Sequence, residues 1–411
     1  NPRMPLDRIG PVLEAHVADL ESQGTAKGAE TTVKEVVRAG GNRGPRFILE
    51  GKGDQEFIRM NSNSYLGLSL RPDIIGAEEE GAEAFGAGPG AVRFISGTYT
   101  PHRDLEESLA RFHGRESGMI FSSAYATVIS VITALVTKET ALISDELNHN
   151  CIINAMRLAR PLEKVVYPHL DMQALDQALE AAAPRARRAL VVTDGIFSMR
   201  GDHAPVDSVM EIARRHQERF EEGVLVIVDD SHGVGAFGPT GRGTEEYTGS
   251  PNCDILVATL GKALGVNGGY VVSSDAVIRY LRETSPMYIY SNPITPGEAR
   301  AALRSLQVLD SPEGRDLLDG LRKLTRRFER GLVERGFEVI PGEHPVVPLM
   351  VRDTARTKAL VEHLFDHGVL ATGLAFPVVP KGDEEIRFQI NADHTESDID
   401  SVLEILGQFE G

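Results

Sequence analysis

The run Ala258-Thr259-Leu260-Gly261-Lys262-Ala263-Leu264-Gly265 places a lysine just past a strand-like apolar stretch, Ile255 to Ala258. Gly268 and Gly269 open the next strand. An amine at the end of a buried strand is costly unless it does chemistry, and one use open to it is a Schiff base with an aldehyde cofactor. A solvated loop lysine would look the same from these eight residues alone. The segment Val226-Ile227-Val228-Asp229-Asp230-Ser231-His232-Gly233 ends a second strand on an acid, with a histidine three residues on. A carboxylate there needs a cation or several donors. A pyridinium nitrogen would supply one, although an aspartate that merely caps the following turn fits the same pattern. Ser198 follows a third strand in Thr193-Asp194-Gly195-Ile196-Phe197-Ser198, and His149 follows a fourth in Ser144-Asp145-Glu146-Leu147-Asn148-His149. Four strand ends thus bring Lys, Asp with His, Ser and His to one edge of one sheet.

Anion binding has a candidate in Ser122-Ser123-Ala124-Tyr125-Ala126-Thr127, where a strand turns into a helix and the first backbone amides point outward. Ordinary capping by Ser123 reads equally well. Gly86, Gly88 and Gly90 precede Arg93, but no strand leads into them, and no GxxxxGK[ST] run is present, so dinucleotide and P-loop sites are disfavoured. Within Glu385-Ile386-Arg387-Phe388-Gln389-Ile390 an arginine sits among apolar neighbours. Its planar fork suits a substrate carboxylate, and an internal salt bridge is the alternative.

The elements that must position these residues follow from the pattern of apolar runs. Strands are expected at 118–121, 140–143, 164–167, 189–193, 224–228, 255–258 and 269–272, with helices between them, for example at 105–113, 172–183 and 206–220. Such alternation predicts an α/β domain built on a mostly parallel seven-stranded sheet, with ligands at the carboxyl ends of its strands. Residues 1–60 read as an N-terminal arm with a helix at 9–21 and short strands at 47–49 and 57–58. The large domain is expected over 61–295 and a smaller α+β domain over 296–411, with strands near 338–340, 347–351 and 386–390 and a helix from Glu396.

Composition narrows the class. A net charge of −17 disfavours nucleic acid, so an anionic ligand must be held by local amides and a few placed cations. Two cysteines, Cys151 and Cys253, form no disulfide framework and no metal-ligand spacing. No apolar run has the length of a membrane span and no signal-peptide core is visible, so a soluble cytoplasmic α/β enzyme or binding protein is expected, with no metal.

Taken in order and spacing, these segments resemble the α-oxoamine synthases, a family of fold-type I pyridoxal phosphate enzymes. The resemblance runs from Asn63-Ser64-Tyr65-Leu66-Gly67-Leu68 to Ala392-Asp393-His394-Thr395. It is closest to the glycine C-acetyltransferase (2-amino-3-ketobutyrate CoA ligase) branch through Val92 to Thr98, Thr193 to Met199, Val228 to Val234, Thr259 to Gly265 and Phe376 to Lys381. The resemblance implies that Lys262 forms the Schiff base, Asp229 pairs with the pyridine nitrogen, and His232 and Ser198 bond the phenolic oxygen. It also implies that His149 stacks on the ring, with the Ala124 and Tyr125 amides and the Thr259 hydroxyl on the phosphate. Ser291 and Asn292 match a segment that reaches the phosphate from a second subunit, which implies a homodimer. Asn63 and Arg387 match the binders of the amino-acid carboxylate. The implied reaction is a Claisen condensation of glycine with acetyl-CoA, His149 polarising the acyl oxygen. An 8-amino-7-oxononanoate synthase or another longer-acyl enzyme is the alternative, ahead of an aminotransferase, a lyase or a non-catalytic partner subunit. Val128, the Ala126-Thr127 pair, Asn150-Cys151 and Arg200 depart from the family pattern, and these departures leave the acyl group and the amino acid open.

Overall fold

The computed structural model describes residues 4–410. All seven strands expected for the large sheet are present: β1 (Ser117–Phe121), β2 (Thr140–Asp145), β3 (Glu163–Tyr167), β4 (Arg188–Asp194), β5 (Val224–Asp229), β6 (Ile255–Thr259) and β7 (Gly269–Ser273). Their spatial order is β1-β7-β6-β5-β4-β2-β3. Only β7 runs against its neighbours, pairing antiparallel with both β1 and β6. The inner strands are unbroken apolar runs because helices cover both faces. In β4 every residue from Ala189 to Asp194 is buried.

The helix Ala124–Leu135 begins where Ser123 turns extended and its side chain accepts the Ala126 N–H at 3.0 Å. Such a cap is worth ~1 kcal/mol. Its apolar face, with Val128, Val131 and Ile132, packs into a core shared with Ile152 and Ala155 of the Asn150–Leu158 helix and with Leu142, Leu190 and Ile227 of the sheet. Each such aliphatic side chain contributes ~1.5–3 kcal/mol on burial. The strand ends are thereby fixed, and the loops leaving them carry the chemistry.

The described chain divides into a larger unit, residues 63–323 with 342–345, and a smaller one, residues 4–62 with 324–341 and 346–410. This differs from sequence-based boundaries at 60 and 295 in two respects. The N-terminal stretch is not a separate arm, because Glu56–Arg59 pairs parallel with Val369–Leu370 inside the smaller unit. The Pro296–Leu309 helix belongs to the larger unit, where it packs on Pro72–Phe85 and Thr100–Phe112. Gly81 permits this crossing, since a Cβ there would lie 2.8 Å from the Gly297 Cα. The smaller unit also holds a second four-stranded sheet, Glu338–Val339, Val346–Met350, Glu385–Gln389 and Thr372–Leu374 in spatial order. Short pieces such as Val33–Val37 and Thr372–Leu374 lack a clear alternation and escaped sequence reading.

Candidate active site

The carboxyl ends of β1, β2, β4, β5 and β6 meet at a cavity of about 240 Å³ within the larger unit. Ala124, Tyr125, His149, Ser198, Asp229, His232, Thr259 and Lys262 all line it, as do Cys151, Asp194, Ile196 and Ser231. Lysine, acid, histidines and helix N-terminus therefore share one space.

Asp229 ends β5 and is buried. Its Oδ1 accepts the Ser231 hydroxyl at 2.6 Å and the Ser231 N–H at 3.1 Å. Its Oδ2 accepts from the Cys151 thiol, a weak donor, at 3.7 Å. Burial and the nearby Asp229 push that thiol up, so it stays protonated. Asp194 lies directly across the ladder from Asp229 and accepts the His149 N–H at 2.7 Å. Burial, then Asp229, holds the Asp194 carboxyl well above the usual carboxylate range. Two acids side by side in a dry site thus cannot both be charged without a cation.

His149 caps the Asn150–Leu158 helix, its Nδ1 accepting the Cys151 N–H at 3.1 Å. That bond places the ring proton on Nε2. Burial lowers its pKa, with Asp229 opposing and Lys262 assisting, so the ring is neutral at pH 7. The Tyr125 ring meets His149 edge-on at 6.2 Å, and its hydroxyl joins Asn150 and Asn154 in a hydrogen-bonded cluster.

The first two amides of the Ala124–Leu135 helix have no intrahelical acceptor and open at the cavity. β7 passes so close that a Cβ on Gly269 would sit 2.4 Å from the Ala124 nitrogen. The Thr259 hydroxyl donates to the Gly268 carbonyl at 3.1 Å and accepts the Gly261 N–H at 3.0 Å, shaping the turn that presents Lys262. The remaining predicted residues lie apart from this lining. Ser291 and Asn292 follow the Pro286–Ile289 helix, and Asn292 is exposed. The Asn63 carbonyl accepts the Tyr65 N–H in a turn of the larger unit. Arg387 stands in the Glu385–Gln389 strand of the smaller unit, its buried Nε without a partner among the described residues.

Sequence reading missed Cys151 and Ser231 as ligands of the acid, and missed Tyr65, whose hydroxyl lies 2.8 Å from His232 Nδ1. Tyr65 stands 167 residues from that histidine, and nothing local signals the contact.

A sheet of this order, with a lysine and an acid on adjacent strand ends, defines a fold-type I transferase-like α/β enzyme. The sequence model described as Aminotransferase class I and II matches residues 55–406. The chain is 39% identical to the 8-amino-7-oxononanoate synthase of Symbiobacterium thermophilum over 361 residues, covering 87% of this chain and 89% of that protein. It is 36% identical to the human mitochondrial 2-amino-3-ketobutyrate coenzyme A ligase over 401 residues, covering 97% and 91%. Among solved structures, serine palmitoyltransferase of Sphingomonas wittichii superposes with a TM-score of 0.86 at 26% identity, covering 98% of each chain. The chain therefore belongs to the class I and II aminotransferase family, in its α-oxoamine synthase branch of pyridoxal phosphate-dependent acyltransferases. Among the described residues no helix is long and apolar enough to cross a membrane.

Proposed function

We propose that this protein condenses glycine with acetyl-CoA, releasing CoA and forming a 2-amino-3-oxo acid or its decarboxylated aminoketone. The observation that carries the proposal is the one cavity joining Lys262, the buried carboxylate of Asp229 and the open amides of Ala124 and Tyr125. Pyridoxal phosphate fits these residues. Asp229, buried at the end of β5, suits a pyridinium N–H, while the helix N-terminus suits a phosphate. When bound, the cofactor supplies an aldehyde for amines and a ring that accepts the electron pair left at Cα.

In this reading Asp229 keeps the ring nitrogen protonated. The Ala124 and Tyr125 amides hold the phosphate, joined by the Thr259 hydroxyl once it turns away from Gly268. His232 and Ser198 donate to the phenolic oxygen, and neutral His149 covers the ring face with Nε2–H available to the acyl oxygen. Lys262 would hold the cofactor's aldehyde carbon and, once free, would serve as the base for the Cα proton. Asn63, on the larger unit, takes part in holding the amino-acid carboxylate. Ser291 and Asn292 of a second copy complete the phosphate site, making the working form a homodimer. Buried thiols at Cys151 and Cys253 suit a reducing cytoplasm.

A release-of-thiol assay across a matrix of amino acids and acyl-CoAs tests the substrates. Thiol is expected with glycine and acetyl-CoA together, and from neither alone. Release with alanine and a longer acyl-CoA, and none with glycine and acetyl-CoA, overturns the assignment. That result would favour the 8-amino-7-oxononanoate synthase reading, supported by the comparable similarity to the Symbiobacterium enzyme.

A further inference from the structure

We propose that Tyr65 and His344 are positioning residues that fix the tautomer and orientation of His232. The inference rests on the reading that His232 donates to the cofactor's phenolic oxygen. That task requires a proton on Nε2, and in a neutral imidazole Nδ1 must then be an acceptor.

The structure supplies the donor. Tyr65 is fully buried, and its Oη lies 2.8 Å from His232 Nδ1. A phenol is a good O–H donor and stays protonated near neutral pH. With that hydroxyl on Nδ1, the proton of His232 resides on Nε2. Remove the hydroxyl and the two tautomers become comparable. The Nδ1–H form would then turn a lone pair toward the phenolic oxygen.

The second hold is on the backbone. His344 is 1% exposed and lies in the 342–345 segment of the larger unit. Its Nε2 is 2.7 Å from the His232 carbonyl oxygen. A carbonyl only accepts, so His344 donates from Nε2. Burial lowers its pKa to about 4, against the His232 carbonyl bond, so it stays neutral. Its ring also meets Tyr65 edge-on at 5.3 Å and Phe237 at 5.8 Å. The tyrosine and the two histidines form one packed group, with Tyr65 setting the proton and His344 setting the backbone from which the ring projects. Such outer partners of a functional histidine carry effects of about 10–100-fold where they have been removed in metal sites.

The test uses the full-length holoenzyme and its Tyr65→Phe, His344→Leu, His344→Gln and His232→Gln variants. Three readouts are taken: melting temperature, pyridoxal phosphate affinity by absorbance titration, and the ratio of visible to near-ultraviolet cofactor bands at fixed pH. Tyr65→Phe is expected to fold, bind cofactor about tenfold more weakly and shift the band ratio in the same direction as His232→Gln. His344→Leu is expected to weaken binding, and His344→Gln, which keeps an N–H for the carbonyl, to restore most of it. A purely structural role would lower the melting temperature without moving the band ratio. Unchanged affinity and ratio in Tyr65→Phe, with His232→Gln altered, overturns the positioning role alone. Should Tyr65→Phe not fold, equal losses in His344→Leu and His344→Gln overturn it. If His232→Gln itself leaves affinity and spectrum intact, the underlying reading of His232 fails and the inference with it.

Discussion

His169, just past the end of β3, bridges two carboxylates. Its Nδ1 lies 2.9 Å from Asp145 Oδ1 at the end of β2, and its Nε2 lies 2.8 Å from Asp202 Oδ2 in the loop after β4. The same ring meets Phe197 edge-on at 4.4 Å, one residue before the cavity-lining Ser198. Burial alone would lower the pKa of His169, but the hydrogen bonds to Asp145 and Asp202 outweigh it and push the ring up to about 9. A rise from 6.5 to about 9 corresponds to at most ~3.4 kcal/mol of folded-state preference for the charged ring. Asp202 is 30% exposed, and solvent screening brings the contribution to about 1–2 kcal/mol. Because the folded pKa is raised, this stabilisation is fully present below the unfolded value of about 6.5 and disappears as pH rises through about 9. His169→Gln can satisfy only one carboxylate. It should melt about 1–2 °C below the parent at pH 6.5, and the gap should close to within ~0.5 °C by pH 10. Scanning fluorimetry of both proteins across pH 6–10 measures the difference, in which other titrating groups largely cancel. Hydrogen exchange at pH 7 should show faster opening of residues 195–203 in the variant. A gap that is constant or widens above pH 9 would falsify the charged-bridge account.

Gly269→Ala puts a Cβ 2.4 Å from the Ala124 nitrogen and 2.5 Å from the Ser123 carbonyl carbon, both backbone atoms. It should weaken pyridoxal phosphate binding by about tenfold or more, as read by absorbance titration, with ~1–3 kcal/mol of lost stability. Asp230 is fully buried, and its carboxylate accepts the Thr244 N–H and hydroxyl at 2.7 Å each. Asp230→Ala leaves both donors stranded and should cost about 1–3 kcal/mol in denaturant titration. Burial raises Asp230 to about 7, so between pH ~4 and ~7 the folded state keeps a proton that the unfolded chain has released. Its contribution therefore weakens as pH climbs through that window, and Asp230→Asn should gain on the parent between pH 5 and 8. Lys262→Ala should abolish thiol release and the visible cofactor band while leaving the melting curve of the cofactor-free protein within about 2 °C.

The strand ends were legible because their signals are local. Apolar runs such as Ala189–Val192 and Val224–Val228 announce buried parallel strands, and the polar residue that breaks each run marks where a ligand can reach. Lys262, Asp229, His149 and Ser198, which line the cavity, were singled out this way. What escaped depends on pairs distant in sequence. Tyr65 with His232, His169 with Asp202 and Asp145, and Gly81 with Gly297 are created by packing, and no periodicity encodes them. The parallel pairing of Glu56–Arg59 with Val369–Leu370, which makes the N-terminal stretch part of the smaller unit, is hidden for the same reason.

The charge layout of the cavity also says how a ligand must lie in it. On the β4 and β5 side, Asp194 and Asp229 stand opposite one another in register, and Cys151 and Ser231 donate to the latter. Burial and the neighbouring Asp229 push Asp194 up while Lys262 opposes them, so a further cation is favoured on that side. On the β1 side the lining is the start of a helix, where outward amides and the helix dipole favour an anion. Lys262 ends a turn shaped by Thr259, on the strand next to β5. A ligand that is cationic at one end and a phosphate at the other satisfies both sides in one orientation only, and reversing it would set phosphate against two buried acids. The same polarity explains how a chain of net charge −17 can hold an anionic cofactor, since the local field at the helix start, not the net charge, decides. Asp229→Asn separates the two ends experimentally. It should weaken the ring-end interaction and cut turnover by about 100-fold or more, while inorganic phosphate should still compete for the helix end with unchanged affinity.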